Sequence, residues 1–274
     1  MHDPSLSEPG AENPVSLRRE GDIVIVTIDN PPVNALSHAV RQGLWDVLDL
    51  LDADKNIRAV VLICAGRTFV AGADIREFSK PARAPHLPEL IKKLEIARVP
   101  WLAALHGTAL GGGLELALGC RYRIALAGAK LGLPEVTLGL IPGAGGTVRL
   151  PRLIGAPAAL DMIASGRPVA VDKAMKLGLL DGITQDDLLP AALEFLADMA
   201  RDGTLIRAAS GHVAAPGDDT AWRAQKDAIR AKAKGLNAPI AAINAVENAI
   251  GLPGPEALAK EREVFLELKN GLQS

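Results

Sequence analysis

Two acids set among apolar residues, and two loops stripped of bulky side chains, are the parts of this sequence best suited to chemistry. Gly111, Gly112 and Gly113 follow an apolar run and open a helical pattern, so the backbone there can approach a ligand with no Cβ in the way. The unpaired N–H groups of a helix start would favour negative charge developing in front of them. Glu115 stands in the first turn of that helix and Glu135 follows Pro134, both among leucines such as Leu114, Leu116, Leu131 and Leu133. An ionised carboxylate is costly in such company, and general acid and base work is what the pair suggests. A second small-residue loop runs Ala71-Gly72-Ala73-Asp74-Ile75-Arg76-Glu77. Its Asp74, with Glu77 three residues on, reads as a capping-box-like helix start, which is a structural duty. Taken singly, each feature has a plain explanation, since glycine runs make turns and a first-turn acid complements the helix dipole. Their combination points to a site.

Other patterns are chemically quieter. His106 ends an apolar run with no serine elbow nearby, and reads as a packed or hydrogen-bonded strand-end histidine. In Pro142-Gly143-Ala144-Gly145-Gly146-Thr147 the third glycine of a dinucleotide fingerprint would fall at Val148, and no Walker lysine follows. A tight turn into the next helix remains. Cys64 and Cys120 lie in apolar contexts and read as buried thiols; no spacing suits a disulfide framework or a metal. A net charge of −2 and 3% aromatic residues give no nucleic-acid footprint, and Lys226, Arg230, Lys232 and Lys234 read as a solvated helix face. No apolar run reaches the roughly 18 residues of a membrane span. Residues 1–14 lack the basic and apolar regions of a signal peptide and read as a flexible leader, and Leu272-Gln273-Ser274 is not a peroxisomal address, so the expected location is cytoplasmic.

The elements that must position these groups alternate. Asp22 to Ile28 reads as a strand, Ser37 caps a helix to about Ala53 carrying Val40, Leu44, Val47, Leu48 and Leu51, and Ile57 to Cys64 is a buried strand. Val99 to Leu105, Gly112 to Cys120 and Arg121 to Ala125 repeat strand, helix, strand. That is an α/β pattern. Beyond Gly145 helices dominate, around 156–165, 172–177, 187–200, 220–234, 239–250 and 256–269, with a loop at 211–219. The expected organisation is a leader at 1–14, an α/β core at 15–210 and a helical lobe at 211–274.

Three stretches in order, Ala71-Gly72-Ala73-Asp74-Ile75, His106 to Ala117 and Leu133 to Gly143, resemble the enoyl-CoA hydratase/isomerase, or crotonase, superfamily from about Val15 to Leu205. The resemblance is strongest to the N-terminal hydratase/isomerase portion of multifunctional fatty-acid β-oxidation enzymes. It implies a spiral of ββα turns in two sheets with a helical C-terminal region. By resemblance, the N–H groups of Ala73 and Gly112 form an oxyanion hole, and Glu115 and Glu135 are the catalytic glutamates. The loop of Ala73, Asp74, Ile75 and Arg76 holds the coenzyme A moiety, with Ala35, Ala71, Gly72, Gly111, Pro134 and Leu138 beside it, and Arg18, Arg19 and Lys80 are candidate phosphate partners. The implied substrate is an acyl-CoA thioester and the implied reaction is hydration of a 2-enoyl-CoA. A 3-to-2 isomerase and a non-catalytic acyl-CoA binding module are the alternatives. No cofactor beyond the coenzyme A of the substrate, no metal, no nucleic acid and no membrane are implied; a homo-oligomer, and a dehydrogenase partner for a fragment of a longer chain, stay open.

Overall fold

The computed structural model describes residues 13–77, 81–202 and 217–271. The β-branched run Ile23–Ile28 (β2) pairs antiparallel with Val15–Glu20 (β1) and parallel with Ala59–Cys64 (β3). From β3 the sheet continues in parallel through Trp101–Leu105 (β4), Tyr122–Leu126 (β6) and Gly182–Thr184 (β9). Strands β3 and β4 are apolar throughout because helices cover both faces. A smaller sheet holds Thr108–Leu110 (β5), Lys130–Gly132 (β7) and Val169–Ala170 (β8). Two single bridges, Val70 to Ala109 and Leu36 to Ala73, stack further turns of chain on this second layer. The chain therefore winds as a spiral, each turn leaving one strand in the large sheet and a short extended piece in the small one.

Helix α1, His38–Ala53, buries the five apolar residues expected of it, and Ser37 Oγ accepts from Val40 N at 3.4 Å. Helices α2 (Leu87–Glu95) and α3 (Gly112–Gly119) cross between strands. Sequence periodicity missed α2, which is nine residues long and follows a proline-rich stretch, and it missed β5, β7 and β8, whose two or three residues are too few to show a period. After β7 come α4 (Gly146–Ile154), α5 (Ala156–Ser165), α6 (Val171–Lys176), α7 (Leu188–Asp202), α8 (Asp219–Ala233), α9 (Asn237–Gly251) and α10 (Gly254–Asn270).

Trp222, Ile243, Val246 and Ala257 of the last three helices belong to the same hydrophobic core as Val60, Leu105 and Leu131. The terminal helices complete one core. The boundary expected at 210 falls outside the described residues, as does most of the expected leader. Helix α7 covers the other face of the large sheet through Leu188, Ala192 and Leu196. Both thiols are buried, and burial pushes Cys120 up to about 12.

Candidate active site

The spiral brings two loop ends together. Leu36 N donates to Gly72 O at 3.0 Å, Leu110 N to Val70 O at 3.0 Å and Gly111 N to Gly132 O at 2.9 Å, so successive turns lie side by side at one corner. A Cβ placed on Gly112 would sit 3.5 Å from Ala73 N. Gly111, at φ +52°, reverses the chain into α3, and a Cβ on Gly113 would lie 2.3 Å from Val70 O. These glycines are required by the approach of the two loops. Among the described residues neither the Ala73 nor the Gly112 amide donates to another backbone group, which leaves both available to one ligand oxygen.

A cavity of about 240 Å³ lies against these amides. Ala71, Gly72, Ala73, Gly111 and Gly112 form one wall, Glu115, Pro134, Glu135 and Leu138 another, and Arg262, Phe265 and Lys269 of α10 close it. Glu115 is 3% exposed and its Oε1 accepts from Ala144 N at 2.7 Å and Gly146 N at 2.9 Å, the start of α4. Burial raises its pKa, while the two amides, Arg149 and Arg262 pull the other way. Glu135 lies on the 3-10 turn Pro134–Leu138, close enough that a Cβ on Gly111 would come within 3.0 Å of its Oε1. Its Oε2 is buried with no hydrogen-bond partner. Burial, and then repulsion from Glu115 and Glu261, hold its pKa well above the ordinary carboxylate range. One acid is thus anchored by two amides of the α4 start and the other keeps a carboxylate oxygen with no hydrogen-bond partner, which favours an ionised form in the first and a proton on the second.

Ala73, Gly112, Glu115, Glu135, Ala71, Gly72, Gly111, Pro134 and Leu138 therefore meet at one cavity. The others do not line it. Ala35 O is engaged by Asn30 Nδ2 at 2.7 Å. Asp74 is buried and accepts from Arg76 N at 3.0 Å and Arg76 Nη2 at 2.8 Å, the structural cap expected, and it lines an adjoining cavity with His38 and Arg41. Glu77 does not complete a capping box: its carboxylate takes His38 N at 2.6 Å and Arg41 Nη1 at 2.9 Å, because α1 presents those donors to it. The Arg76 side chain is 75% exposed and pairs with Asp74; Ile75 lies in the 3-10 turn Ile75–Glu77. Arg18 pairs with Glu20 and Arg19 with Asp54, so neither reaches the cavity, and Lys80 falls outside the described residues. His106 Nε2 meets Gly66 O at 3.2 Å and burial lowers its pKa, in keeping with a strand-end role.

The sequence reading missed a third carboxylate beside the site, and this one is buried. Glu261 of α10 is 2% exposed; it accepts from Gly145 N at 2.5 Å, Thr147 N at 2.7 Å and Thr147 Oγ1 at 2.6 Å, and burial with repulsion from Glu115 pushes its pKa up to about 8. In the sequence it is one charge in Lys-Glu-Arg-Glu. The clue is spacing: four residues after Ala257 and four before Phe265, it sits on the apolar stripe of its helix. Likewise the glycine cluster at 143–146 is more than a turn, since it supplies the amides that hold both Glu115 and Glu261.

Comparison with known proteins follows the same lines. The profile of the family described as "Enoyl-CoA hydratase/isomerase" matches residues 18–241, further than the resemblance read from motifs. The "Peroxisomal bifunctional enzyme" of Danio rerio is 44% identical over 248 residues, covering 90% of this chain and 34% of that protein. A "Probable enoyl-CoA hydratase" of Bacillus subtilis is 43% identical over 182 residues, covering 64% of this chain and 70% of that one. The structure of an enoyl-CoA hydratase from Bacillus anthracis superposes with TM-score 0.66 at 29% identity, covering 95% of this chain and 92% of the other. The chain spans about a third of the length of the bifunctional relatives it matches.

Proposed function

The chain belongs to the enoyl-CoA hydratase/isomerase family, and from that membership we propose that it is an enoyl-CoA hydratase, adding water across the 2,3 double bond of 2-enoyl-CoA thioesters in fatty-acid β-oxidation. What carries the reading is the meeting of two unengaged amides and two acids of unlike environment at one cavity. The Ala73 and Gly112 N–H groups grip the thioester oxygen. Their hold tightens as enolate charge develops, an effect of about 3 kcal/mol per donor on the usual mutational scale. Glu115, fixed by the amides of Ala144 and Gly146, orients a water and takes one of its protons as oxygen attacks the β-carbon. Glu135 delivers its proton to the α-carbon, and the water proton now on Glu115 must pass to Glu135 or solvent before the next turnover. The coenzyme A moiety lies along Ala71 to Arg76, where the chain is thin.

A 3-to-2 isomerisation is the second reading. It needs a single group that removes and returns a proton, and Glu135 Oε2, buried without a partner, fits that task. Because a 3-hydroxyacyl-CoA is the substrate class of a dehydrogenase, such an enzyme is the proposed partner; cytoplasm is the proposed compartment.

The test is turnover of a 2-enoyl-CoA and a 3-enoyl-CoA by the wild type and by Glu135→Gln. Hydration should dominate in the wild type, and Glu135→Gln should lose about 10²- to 10⁴-fold in kcat with KM little changed. Full hydratase turnover in Glu135→Gln would sink the assignment, and isomerisation outrunning hydration would favour the second reading.

A further inference from the structure

Four consecutive amides at the start of α4 are shared between two carboxylates from opposite directions. Glu115, from α3, takes the first and third, Ala144 N and Gly146 N. Glu261, from α10, takes the second and fourth, Gly145 N and Thr147 N, and the Thr147 hydroxyl besides. Gly145, between them, is in the left-handed region at φ +107°, so the amides alternate in direction instead of running along one face. Neither acid can keep its own pair of donors unless the loop holds this shape. A Cβ on Gly146 would come within 3.0 Å of Glu115 Oε1, which shows how closely the first carboxylate is packed on the turn the second one secures.

We propose that Glu261 is a positioning residue for the catalytic pair: by clamping Gly145 and Thr147 from the far side, it sets the amides that orient Glu115, and its charge enters the proton balance of the two acids. The inference rests on the hydratase reading of Glu115 and Glu135. It reaches beyond the residues the family profile covers, which end at 241. The same turn of α10 carries Arg262, which lines the catalytic cavity and attracts Glu115, so docking of this one helix fixes both the geometry and the local charge of the acid.

The charged groups facing Glu261 are Glu115 of α3, Glu135 of the 3-10 turn, Arg149 and Arg152 of α4, and its neighbour Arg262. Glu89, Lys92 and Glu95 of α2 line the far side of a cavity of about 400 Å³ that Glu261 also borders. Of the ion pairs among these, Arg149 with Glu95 at 2.8 Å is already closed. Repulsion between Glu261 and Glu135 raises the latter, so removing the Glu261 charge makes Glu135 give up its proton at lower pH.

Two variants separate geometry from charge. Glu261→Ala removes both; Glu261→Gln keeps the volume and one accepting oxygen, removes the charge, and turns an NH2 toward one of the two amides it clamped. With a 2-enoyl-CoA, Glu261→Ala should lower kcat about 10- to 100-fold per folded molecule while KM changes less than about threefold, and Glu261→Gln, which keeps one of the two accepting oxygens, should recover part of that loss. In both, the alkaline limb of the kcat profile should move to lower pH by about half a unit. Wild-type kcat and an unmoved limb in Glu261→Ala overturn the proposal, as does a loss explained wholly by a smaller folded fraction. If Glu261→Ala does not fold, Glu261→Gln decides alone: an acid-shifted limb supports the proposal and an unmoved limb overturns it. Glu135→Gln, assayed in parallel, keeps the two questions apart, because full turnover there removes the hydratase reading itself.

Discussion

Glu115 and Glu135 show how one residue type meets two environments at a single cavity. Glu115 is buried and Glu135 half-buried with its Oε2 shielded, and loss of hydration raises both. What separates them is hydrogen bonding: two amides favour the charged form of Glu115, whereas Glu135 Oε2 has none to favour its own. Turnover that needs Glu115 ionised and Glu135 protonated falls off at both ends of the pH range, and the alkaline fall belongs to Glu135. The expected result is a bell-shaped kcat profile in the wild type whose alkaline limb disappears from the residual activity of Glu135→Gln. A limb that persists unchanged in that variant would assign it to another group. Since the two acids interact, the limbs report the pair and not either acid alone.

At the scale of elements, the site depends on where α3 begins. Its first residues can lie against the loop at 70–73 only because they lack side chains, and the most demanding is Gly113, where a Cβ would meet Val70 O at 2.3 Å and Val70 Cβ at 2.7 Å. Backbone cannot yield as a flexible side chain can. Gly113→Ala should therefore cost about 1–3 kcal/mol in denaturant unfolding, on the scale of overpacking, and should lower hydration by parting Gly112 from Ala73. Gly21→Ala offers a control in which nothing lies within 4 Å of the added carbon, although its φ of +64° carries a strain of its own. If Gly113→Ala were no less stable than the wild type and as active, the close approach of the two loops would not be what builds the site.

At the scale of the molecule, two buried carboxylates, Glu115 and Glu261, and the half-buried Glu135 make folding sensitive to pH. The folded pKa of Glu261 is raised from 4.5 to about 8, and Glu115 and Glu135 are raised in the same direction. A group raised in the folded state contributes stability that is fully present below its unfolded pKa and is lost as pH rises through the folded one. Between about 4.5 and 8 the wild type should thus lose stability that Glu261→Gln does not, and the difference in their unfolding midpoints should shift in favour of Glu261→Gln as pH increases. A difference that is constant across that range would contradict the burial of this acid. Among the described residues no helix is long and apolar enough to cross a membrane.

The amino-acid order alone determined the alternation of strand and helix, the apolar stripe of α1, and the two small-residue loops with Glu115 and Glu135, because each is a local pattern of spacing, burial and backbone freedom. Only the tertiary structure decided that residues 73 and 112 stand side by side, that 35 and 76 lie off the cavity, and that Glu261 supports Glu115 across 146 positions of chain. A carboxylate on a charged helix looks solvated in sequence. It becomes part of the site because α10 folds back over α4, and no local pattern records which amides a distant helix will meet.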